Sequence, residues 1–199
     1  MKLFETEYLF AHPWCTLTLA NWKKYPNQYS SHVLSVDVLD RSVDPETGIL
    51  TTERLLCCKQ SAPALLRRIL PIPEVAYFRE ISYLDPRSQT YTAISTNLSM
   101  RSFINLEEKC EYKADPEHPE GKTFFTQQAA VSAMGVLSYG AKLVEESAVK
   151  SFHKNAARGR QGLETIVEKM VEEAKAVEQG FKDGLETHLR KGNMGVTEP

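Results

Sequence analysis

Hydrophobic and polar positions alternate through most of the first 134 residues, and this period of two predicts β-strands. Turn-forming residues at 44–48, 85–88 and 115–121 separate the alternating stretches. Because the connections between consecutive strands are short, the strands are expected to form an antiparallel meander, in which the first is an edge strand. The predicted strands cover residues 1–10, 32–38, 49–59, 74–84, 90–100, 102–112 and 123–134.

A helical period of 3.6 replaces the alternation at two places. The sequence predicts a short helix from Pro13 to about Lys24, because proline suits the first turn and Tyr25 precedes another proline. A long helix is predicted from about residue 138 to 185, with candidate breaks at Gly159 and Gly180. Its apolar stripe contains Leu163, Ile166, Val167, Met170, Ala174, Val177 and Phe181.

A stripe of this length needs an apolar surface to cover it, and the predicted sheet offers one. The fold class is therefore predicted as α+β, with a curved antiparallel sheet of about seven strands wrapped on a long C-terminal helix. The chain of 199 residues is long enough for one domain with a substantial core.

One segment between two predicted strands, residues 60–73, fits neither pattern. It has prolines near both ends and combines aliphatic with basic side chains. One interpretation is a helix that caps one end of the sheet. The other is a mobile apolar lid that inserts into a membrane while its basic residues meet lipid headgroups. The lid residues are Leu65, Leu66, Arg67, Arg68, Ile69, Leu70 and Ile72.

Charge is balanced over the chain but uneven along the long helix. Twenty-four Lys and Arg against 26 Asp and Glu give a net charge of −2, which argues against a general nucleic-acid binder. Residues 149–160 carry four basic and no acidic side chains, whereas residues 164–186 carry seven acids and three lysines. Lys150, Lys154 and Arg158 share one helical face. This basic stripe is either a solvated face or a surface for anionic lipid.

Several classes of protein lack their signatures in this sequence. No apolar run is long enough to span a membrane. The four cysteines form no CxxC pair and are expected to be free thiols, so neither a metal site nor a cofactor is predicted. No nucleotide-binding or hydrolase motif occurs, which favours a binding protein over an enzyme. Without a secretory signal or presequence, these signals alone indicate the cytosol.

Arg54 is a candidate ligand residue on physical grounds alone. It lies within an otherwise apolar predicted strand, where a charge needs a partner. The guanidinium fork suits a phosphate group, and a carboxylate on the same sheet is the alternative.

Five strings in order along the chain resemble the PRELI-like family, called the Ups family in yeasts. They are NWKKYPN at 21–27, SHVLSVDVL at 31–39, TERLL at 52–56, STNL at 95–98 and KNAARG at 154–159. The resemblance covers about residues 1–175 and leaves 176–199 as helix end and C-terminal tail. It implies a START- and phosphatidylinositol-transfer-like lipid pocket, gated by a lid loop at the position of residues 60–73.

The resemblance also implies a function and a location. Family members are peripheral proteins of the mitochondrial intermembrane space that carry phospholipids from the outer to the inner membrane, together with a small twin-CX9C helper protein. This sequence looks closer to the slowmo-like branch, associated with phosphatidylserine and phosphatidylethanolamine synthesis. The alternatives are phosphatidic acid transfer for cardiolipin synthesis and a lipid-binding adaptor that transfers nothing.

The residues that match the family pattern supply an expected headgroup site. Lys24 matches a basic position at the pocket floor and is expected to bind phosphate. His32 matches a polar pocket position, and Lys142 matches a basic helix position. Asn97 and Asn155 are further candidates for polar headgroup atoms.

Overall fold

Seven antiparallel strands form one curved sheet in the order β1-β7-β6-β5-β4-β3-β2, as the meander prediction expects. The computed structural model describes residues 1–60 and 72–193. The strands are β1 (Lys2–Phe10), β2 (Val33–Val43), β3 (Leu50–Lys59), β4 (Val75–Asp85), β5 (Thr90–Asn97), β6 (Ile104–Ala114) and β7 (Thr123–Ala133).

Within the described residues, two helices cover the inner face of this sheet. Helix α1 (Trp14–Trp22) follows β1, and a single turn of 3-10 helix (Gln28–Ser30) leads from it into β2. A second 3-10 segment (Gly135–Gly140) leads from β7 into helix α2 (Ala141–Asn193). The predicted α+β class and the long C-terminal helix are confirmed.

Helix α2 is continuous over 53 residues, so the candidate breaks at Gly159 and Gly180 do not occur, and the helix extends past residue 185. At 1.5 Å per residue it is about 80 Å long. Gly162 has a packing role instead. A Cβ atom at that position would lie 3.2 Å from Asn27 Oδ1 and 3.3 Å from Tyr29 Cβ. Glycine therefore lets the helix approach the 3-10 turn before β2.

The main core lies between α1, one end of the sheet and the middle of α2. Tyr91, Tyr112 and Phe125 form a row of aromatic rings on neighbouring strands, with ring centroids 5.8 Å and 4.6 Å apart. Leu163 and Val167 of α2 complete this core, together with Phe10, Trp14, Leu17, Ala20 and Ala93. The predicted stripe of α2 is thus buried in its middle section.

Polar contacts at the N-terminus join α2 to the sheet. The amino group of Met1 lies 3.0 Å from the buried carboxylate of Glu145, whose Oε1 also accepts a 3.0 Å bond from the backbone N–H of Ala133. Further along the helix, His12 Nε2 lies 2.6 Å from Glu164 Oε2. These contacts attach α2 to the sheet at two places. Glu145 is held by the ends of β1 and β7, and Glu164 is held by His12 in the loop after β1.

The last part of α2 extends away from this core. Val177, Phe181 and Leu185 are 70 %, 80 % and 58 % exposed, although they continue the apolar stripe. The predicted stripe is therefore only partly covered by the sheet. No helix in the described ranges, 1–60 and 72–193, contains a stretch apolar enough to cross a bilayer.

The edge strand β2 departs from the expected alternation. Its pairing with β3 shifts between Val33 and Ser35 and again between Val38 and Asp40. Leu34 lies within the first shift and is 53 % exposed, as is Val38. Such bulges twist an edge and reduce its tendency to pair with another chain.

Two matched substitutions on α2 test this division between packed and unpacked sections. Leu163→Ala removes a side chain that is 1 % exposed, and should lower the free energy of unfolding by about 3 kcal/mol. Leu185→Ala changes a mostly exposed side chain and should shift it by less than about 0.5 kcal/mol. Urea denaturation measures both; equal effects would contradict the packing described.

Candidate functional site

A belt of polar side chains crosses the middle of the sheet's inner face. Strand pairing aligns Arg54 with Glu80, Glu80 with Ser95, and Ser95 with Glu108. The aromatic row lies on one side of this belt. On the other side lie the apolar side chains of Leu56, Phe78, Leu106 and Val131. The inner face thus offers a polar zone between two apolar zones.

Arg54 is already paired within the belt. Its Nε donates to Glu80 Oε1 at 2.9 Å, and its Nη2 makes a second bond to the same oxygen. Ser95 Oγ donates to the other oxygen of Glu80 at 3.3 Å, and the ring of Trp22 lies 5.3 Å from the guanidinium carbon. This is the sheet carboxylate that the sequence offered as an alternative partner, and the headgroup role of Arg54 stays a prediction.

Lys24 is placed at the belt by the loop after α1. Asn27 holds this loop: its side-chain oxygen accepts bonds of 2.8 Å from the backbone N–H of Tyr29 and of Ser30, and its amide donates to the carbonyl of Lys24. The lysine Nζ lies 3.9 Å from the position a Cβ atom would take at Gly159. Asn27, the last residue of NWKKYPN, and Gly159, the glycine of KNAARG, therefore both contribute to the position of Lys24.

The Lys24 ammonium lies in a largely enclosed environment. Burial lowers its pKa, and interactions with Tyr25, Tyr112, Cys110 and Glu108 raise it above the ordinary lysine value; of these four groups only the Glu108 carboxylate is negatively charged at neutral pH, because burial keeps the two phenols and the thiol protonated. The side chain keeps part of its surface accessible despite this burial. Within the described parts of the chain, no carboxylate lies within 4 Å of its nitrogen, so the charge has no ion-pair partner there.

Arg158 and the imidazole of His32 lie in the same region. The His32 side chain is largely exposed to solvent, but partial desolvation lowers its pKa, and the charges of Arg158 and Lys24 lower it further. The backbone carbonyl of His32 accepts a 2.7 Å bond from the N–H of Lys59, which fixes it at the start of β2. Lys24 and His32, expected at one site, are therefore near each other, and Arg158 joins them from α2. Arg158 was predicted only as part of the basic stripe.

Glu108 is the belt residue that the sequence analysis missed. Inward positions of β6 alternate as Ile104, Leu106, Glu108, Cys110 and Tyr112, so the signal was a carboxylate where the alternation calls for an apolar residue. Burial raises the pKa of Glu108, while a hydrogen bond from Gln127 and the charge of Lys24 lower it less. Gln127 Nε2 donates to Glu108 Oε1 at 2.6 Å.

The other predicted headgroup residues are Asn97, Lys142 and Asn155, and their surroundings differ from those of Lys24. Asn97 is buried and fully bonded to backbone: it donates to the carbonyls of Ser99 and Ile104 and accepts from the N–H of Leu106. It closes the loop between β5 and β6. Lys142 and Asn155 are exposed on α2. The side chain of Asn97 is thus committed to the backbone, and the headgroup roles of Lys142 and Asn155 stay predictions.

The predicted lid lies almost wholly outside the described residues. Leu65, Leu66, Arg67, Arg68, Ile69 and Leu70 fall in this part, so the lid stays a prediction. Ile72 is described and packs against Leu137 and Val144, beside Phe103 and Ile104. In the basic stripe, Lys150 and Lys154 are exposed, and Arg158 is half-buried.

The cysteines and acidic residues in the described ranges form no cluster suited to a metal ion. All four cysteines are free thiols. Burial raises the pKa of Cys58 to about 11 and that of Cys110 well above its ordinary value, so both thiols stay protonated at neutral pH.

A model of the PRELI-like family matches residues 16–174. The chain belongs to the PRELI-like family. Its relatives include the UPS-like protein C36.10 of Schizosaccharomyces pombe, 36 % identical over 170 residues, which are 85 % of this chain and 91 % of the relative. The mitochondrial protein UPS2 of Saccharomyces cerevisiae is 36 % identical over 84 % of this chain and 73 % of its own length. A slowmo homolog of Dictyostelium discoideum is 33 % identical over 87 % and 75 %.

Solved structures share the fold of this PRELI-like chain at low sequence identity. The protein TTHA0849 from Thermus thermophilus aligns with a TM-score of 0.56 and 14 % identity, over 85 % of this chain and 99 % of its own. A START superfamily protein from Mycobacterium smegmatis aligns with a TM-score of 0.49 and 16 % identity, over 84 % and 98 %. The first of these shows the sheet-and-helix architecture in a bacterial protein.

Two cross-strand Arg–Glu pairs provide a matched test of the polar belt. Glu80→Gln leaves the buried Arg54 without a charged partner and should lower the free energy of unfolding by about 3 kcal/mol. Glu53→Gln removes the partner of Arg79 on the outer face, where water replaces it, so little change is expected. Denaturant midpoints compare the two; a silent Glu80→Gln would contradict the burial of this pair.

Proposed function

We propose that this PRELI-like protein extracts one phosphatidylserine molecule from a membrane and transfers it between the mitochondrial outer and inner membranes. The observation that carries the proposal is the enclosed Lys24 ammonium. It has no ion-pair partner in the described ranges, it faces the interior, and His32 and Arg158 lie nearby. A phosphate in the interior would supply the missing negative charge.

Enclosing a charge in a protein interior has a free-energy cost, because the charge loses its hydration. An enclosed ammonium loses hydration that only an anion or several hydrogen-bond acceptors can replace. Lys24 stays protonated at neutral pH, because its pKa lies above the ordinary lysine value and the Glu108 carboxylate is a nearby negative charge. A phosphodiester that enters this space pairs with Lys24, and its own desolvation is offset by Arg158 and by His32 when protonated.

The apolar part of a phospholipid also has a place on the inner face. Leu56, Phe78, Leu106 and Val131 continue the interior beyond the polar belt, towards the chain segment that contains residues 60–73. Acyl chains in this zone would be removed from water, which favours binding by roughly 0.8 kcal/mol for each buried methylene group. Transfer requires binding and release only, with no bond formed or broken.

Two surfaces are proposed to contact an anionic bilayer. Lys150 and Lys154 are exposed on α2, and each basic side chain near such a membrane contributes about 1 kcal/mol of attraction. The proposed lid, with Arg67, Arg68 and its aliphatic residues, inserts at the surface and admits the lipid. Both contributions weaken as salt screens the membrane charge.

The choice of lipid, location and partner is supported by the family. The relatives include UPS2, which is named mitochondrial, and a slowmo homolog, and the sequence resembles the slowmo-like branch. We therefore assign the mitochondrial intermembrane space, a supporting role in phosphatidylethanolamine synthesis, and a small twin-CX9C helper protein as heterodimer partner. The bound phospholipid is cargo, and no cofactor is assigned.

Native mass spectrometry of the purified protein, followed by transfer between liposomes, tests this function. Expected results are a co-purifying phosphatidylserine mass and transfer of fluorescent phosphatidylserine that exceeds transfer of phosphatidic acid. A bound lipid without transfer would favour the adaptor alternative. Absence of both binding and transfer, also with the helper present, would overturn the proposal.

Neighbouring lysines provide a matched test of the phosphate site. Lys24→Met removes the enclosed charge but keeps the apolar stem, so lipid transfer should fall by at least about tenfold. Lys23 is exposed, and Lys23→Met should leave transfer unchanged.

The Lys24→Met and Lys23→Met proteins also show whether Lys24 serves lipid binding or the stability of the fold. If Lys24 serves lipid binding, the lipid-free Lys24→Met protein should be at least as stable as the wild type, because an enclosed charge has been removed. A large loss of stability together with lost transfer would instead indicate that Lys24 supports the fold.

The lowered pKa of His32 predicts a pH effect of definite sign. In the free protein partial burial and the charges of Arg158 and Lys24 oppose protonation of His32 and lower its pKa. A bound phosphate favours the protonated form and raises this pKa, so affinity for phosphatidylserine should increase as the pH falls through the range in which His32 titrates. His32→Gln should lose this gain, whereas His118→Gln, on an exposed loop, should keep it. Identical pH profiles of all three proteins would contradict the assignment.

A further inference from the structure

Glu108 and Lys24 are opposite charges that face the same interior without forming an ion pair. Their charges are close enough to influence each other's pKa, yet no contact between the two groups falls within 4 Å. In the described ranges neither group has an ionic partner at that distance. A ligand that carries both a negative and a positive group would complement them together.

The hydrogen bonds around Glu108 leave room for such a ligand. Gln127, on the adjacent strand, donates to Oε1, and no other hydrogen bond to the carboxylate is found within the described parts of the chain. Arg54, the other belt cation, is engaged by Glu80. Glu108 is also partly accessible on the inner face of the sheet, although its environment is strongly desolvated.

We propose that Glu108 is the ammonium-binding subsite of the pocket and selects amino-phospholipids, those whose headgroup carries a protonated amine. The carboxylate accepts a hydrogen bond from the headgroup ammonium while Lys24 pairs with the phosphate. This inference rests on the proposed lipid-binding function and names the part of the chain that sets its headgroup preference.

The charges on the inner face favour this class of headgroup over phosphatidic acid. Glu80 neutralises Arg54, and Glu108 offsets Lys24, so the belt itself carries no surplus of positive charge. A phosphate monoester, which carries up to two negative charges, would meet repulsion from Glu108. Phosphatidylethanolamine presents one phosphate charge and one ammonium, and so supplies a partner to each enclosed group; phosphatidylserine presents the same two groups and an additional carboxylate.

The sheet offers a matched control for this residue. Glu107 is the neighbour of Glu108 on β6, but alternation places it on the outer face, where it is exposed. Glu108→Gln keeps the size of the side chain and its ability to bond Gln127, and removes only the charge. Glu107→Gln makes the same chemical change outside the pocket.

The test measures binding of short-chain phosphatidylethanolamine and phosphatidylglycerol by native mass spectrometry or calorimetry. Both probes carry one phosphodiester charge, and only the first carries an ammonium. Wild-type protein and Glu107→Gln should prefer phosphatidylethanolamine by at least about tenfold, the scale of one charge-assisted hydrogen bond. Glu108→Gln should lose most of this preference, and its phosphatidylserine to phosphatidic acid ratio should fall in parallel.

Each outcome is decisive for one claim. Equal binding of the two probes by the wild type overturns the ammonium subsite, even if Glu108→Gln fails to fold. A folded Glu108→Gln protein with the wild-type preference also overturns it. Absence of binding to all phospholipids overturns the proposed function together with this inference, whereas binding without transfer overturns transfer alone and leaves the subsite intact.

Discussion

The enclosure of a lysine charge between the sheet and the long helix is the constraint on which the site depends. Lys24 reaches the interior because α1 ends at Trp22, Asn27 fixes the following loop, and glycines of α2 allow the helix to come close. Its pKa lies above the ordinary lysine value, and the Glu108 carboxylate is a nearby negative charge, so the ammonium stays charged at neutral pH. A soluble core built only for stability would hold an apolar side chain at this point.

The inner face shows how one sheet supports both stability and binding. Its aromatic row packs against α1 and the middle of α2, where Leu163 and Val167 are almost completely buried. The polar belt follows directly, and within it Arg54 and Glu80 satisfy each other while Lys24 and Glu108 do not form an ion pair. Groups that complete their own contacts serve the fold, and groups that lack partners are the ones left for a ligand.

Most of the architecture followed from periodicity, since strand alternation and short turns determine a meander. The bulges of β2 were not predictable in this way, because they depend on edge position and not on side-chain pattern. The continuity of α2 through Gly159 and Gly180 also escaped prediction. Glycine weakens a helix by about 1 kcal/mol, and packing against the rest of the fold outweighs this at Gly159. Gly180 lies in the section that extends away from the core, and nothing in the structure explains its tolerance there. For Gly162, the close approach of Asn27 supplies the reason.

The binding roles of the site residues stay predictions, and the structure shows where these residues lie. Resemblance placed Lys24 and His32 together, and both lie in one region with Arg158. Asn97, Lys142 and Asn155 match strings or positions of the family, but a string does not tell whether a side chain faces the interior. The alternation of β6 places Glu108 among the inward positions. Only the pairing of the strands shows that it shares a belt with Ser95, Glu80 and Arg54.

The central claim is that a phospholipid phosphate binds in the interior at Lys24. An experimental structure of the lipid-loaded protein tests it most directly. The account predicts a phosphate oxygen within hydrogen-bond distance of Lys24 Nζ, with acyl chains along Leu56, Phe78, Leu106 and Val131. A phosphate bound instead on the outer basic stripe of Lys150 and Lys154, with no lipid between sheet and helix, would contradict it.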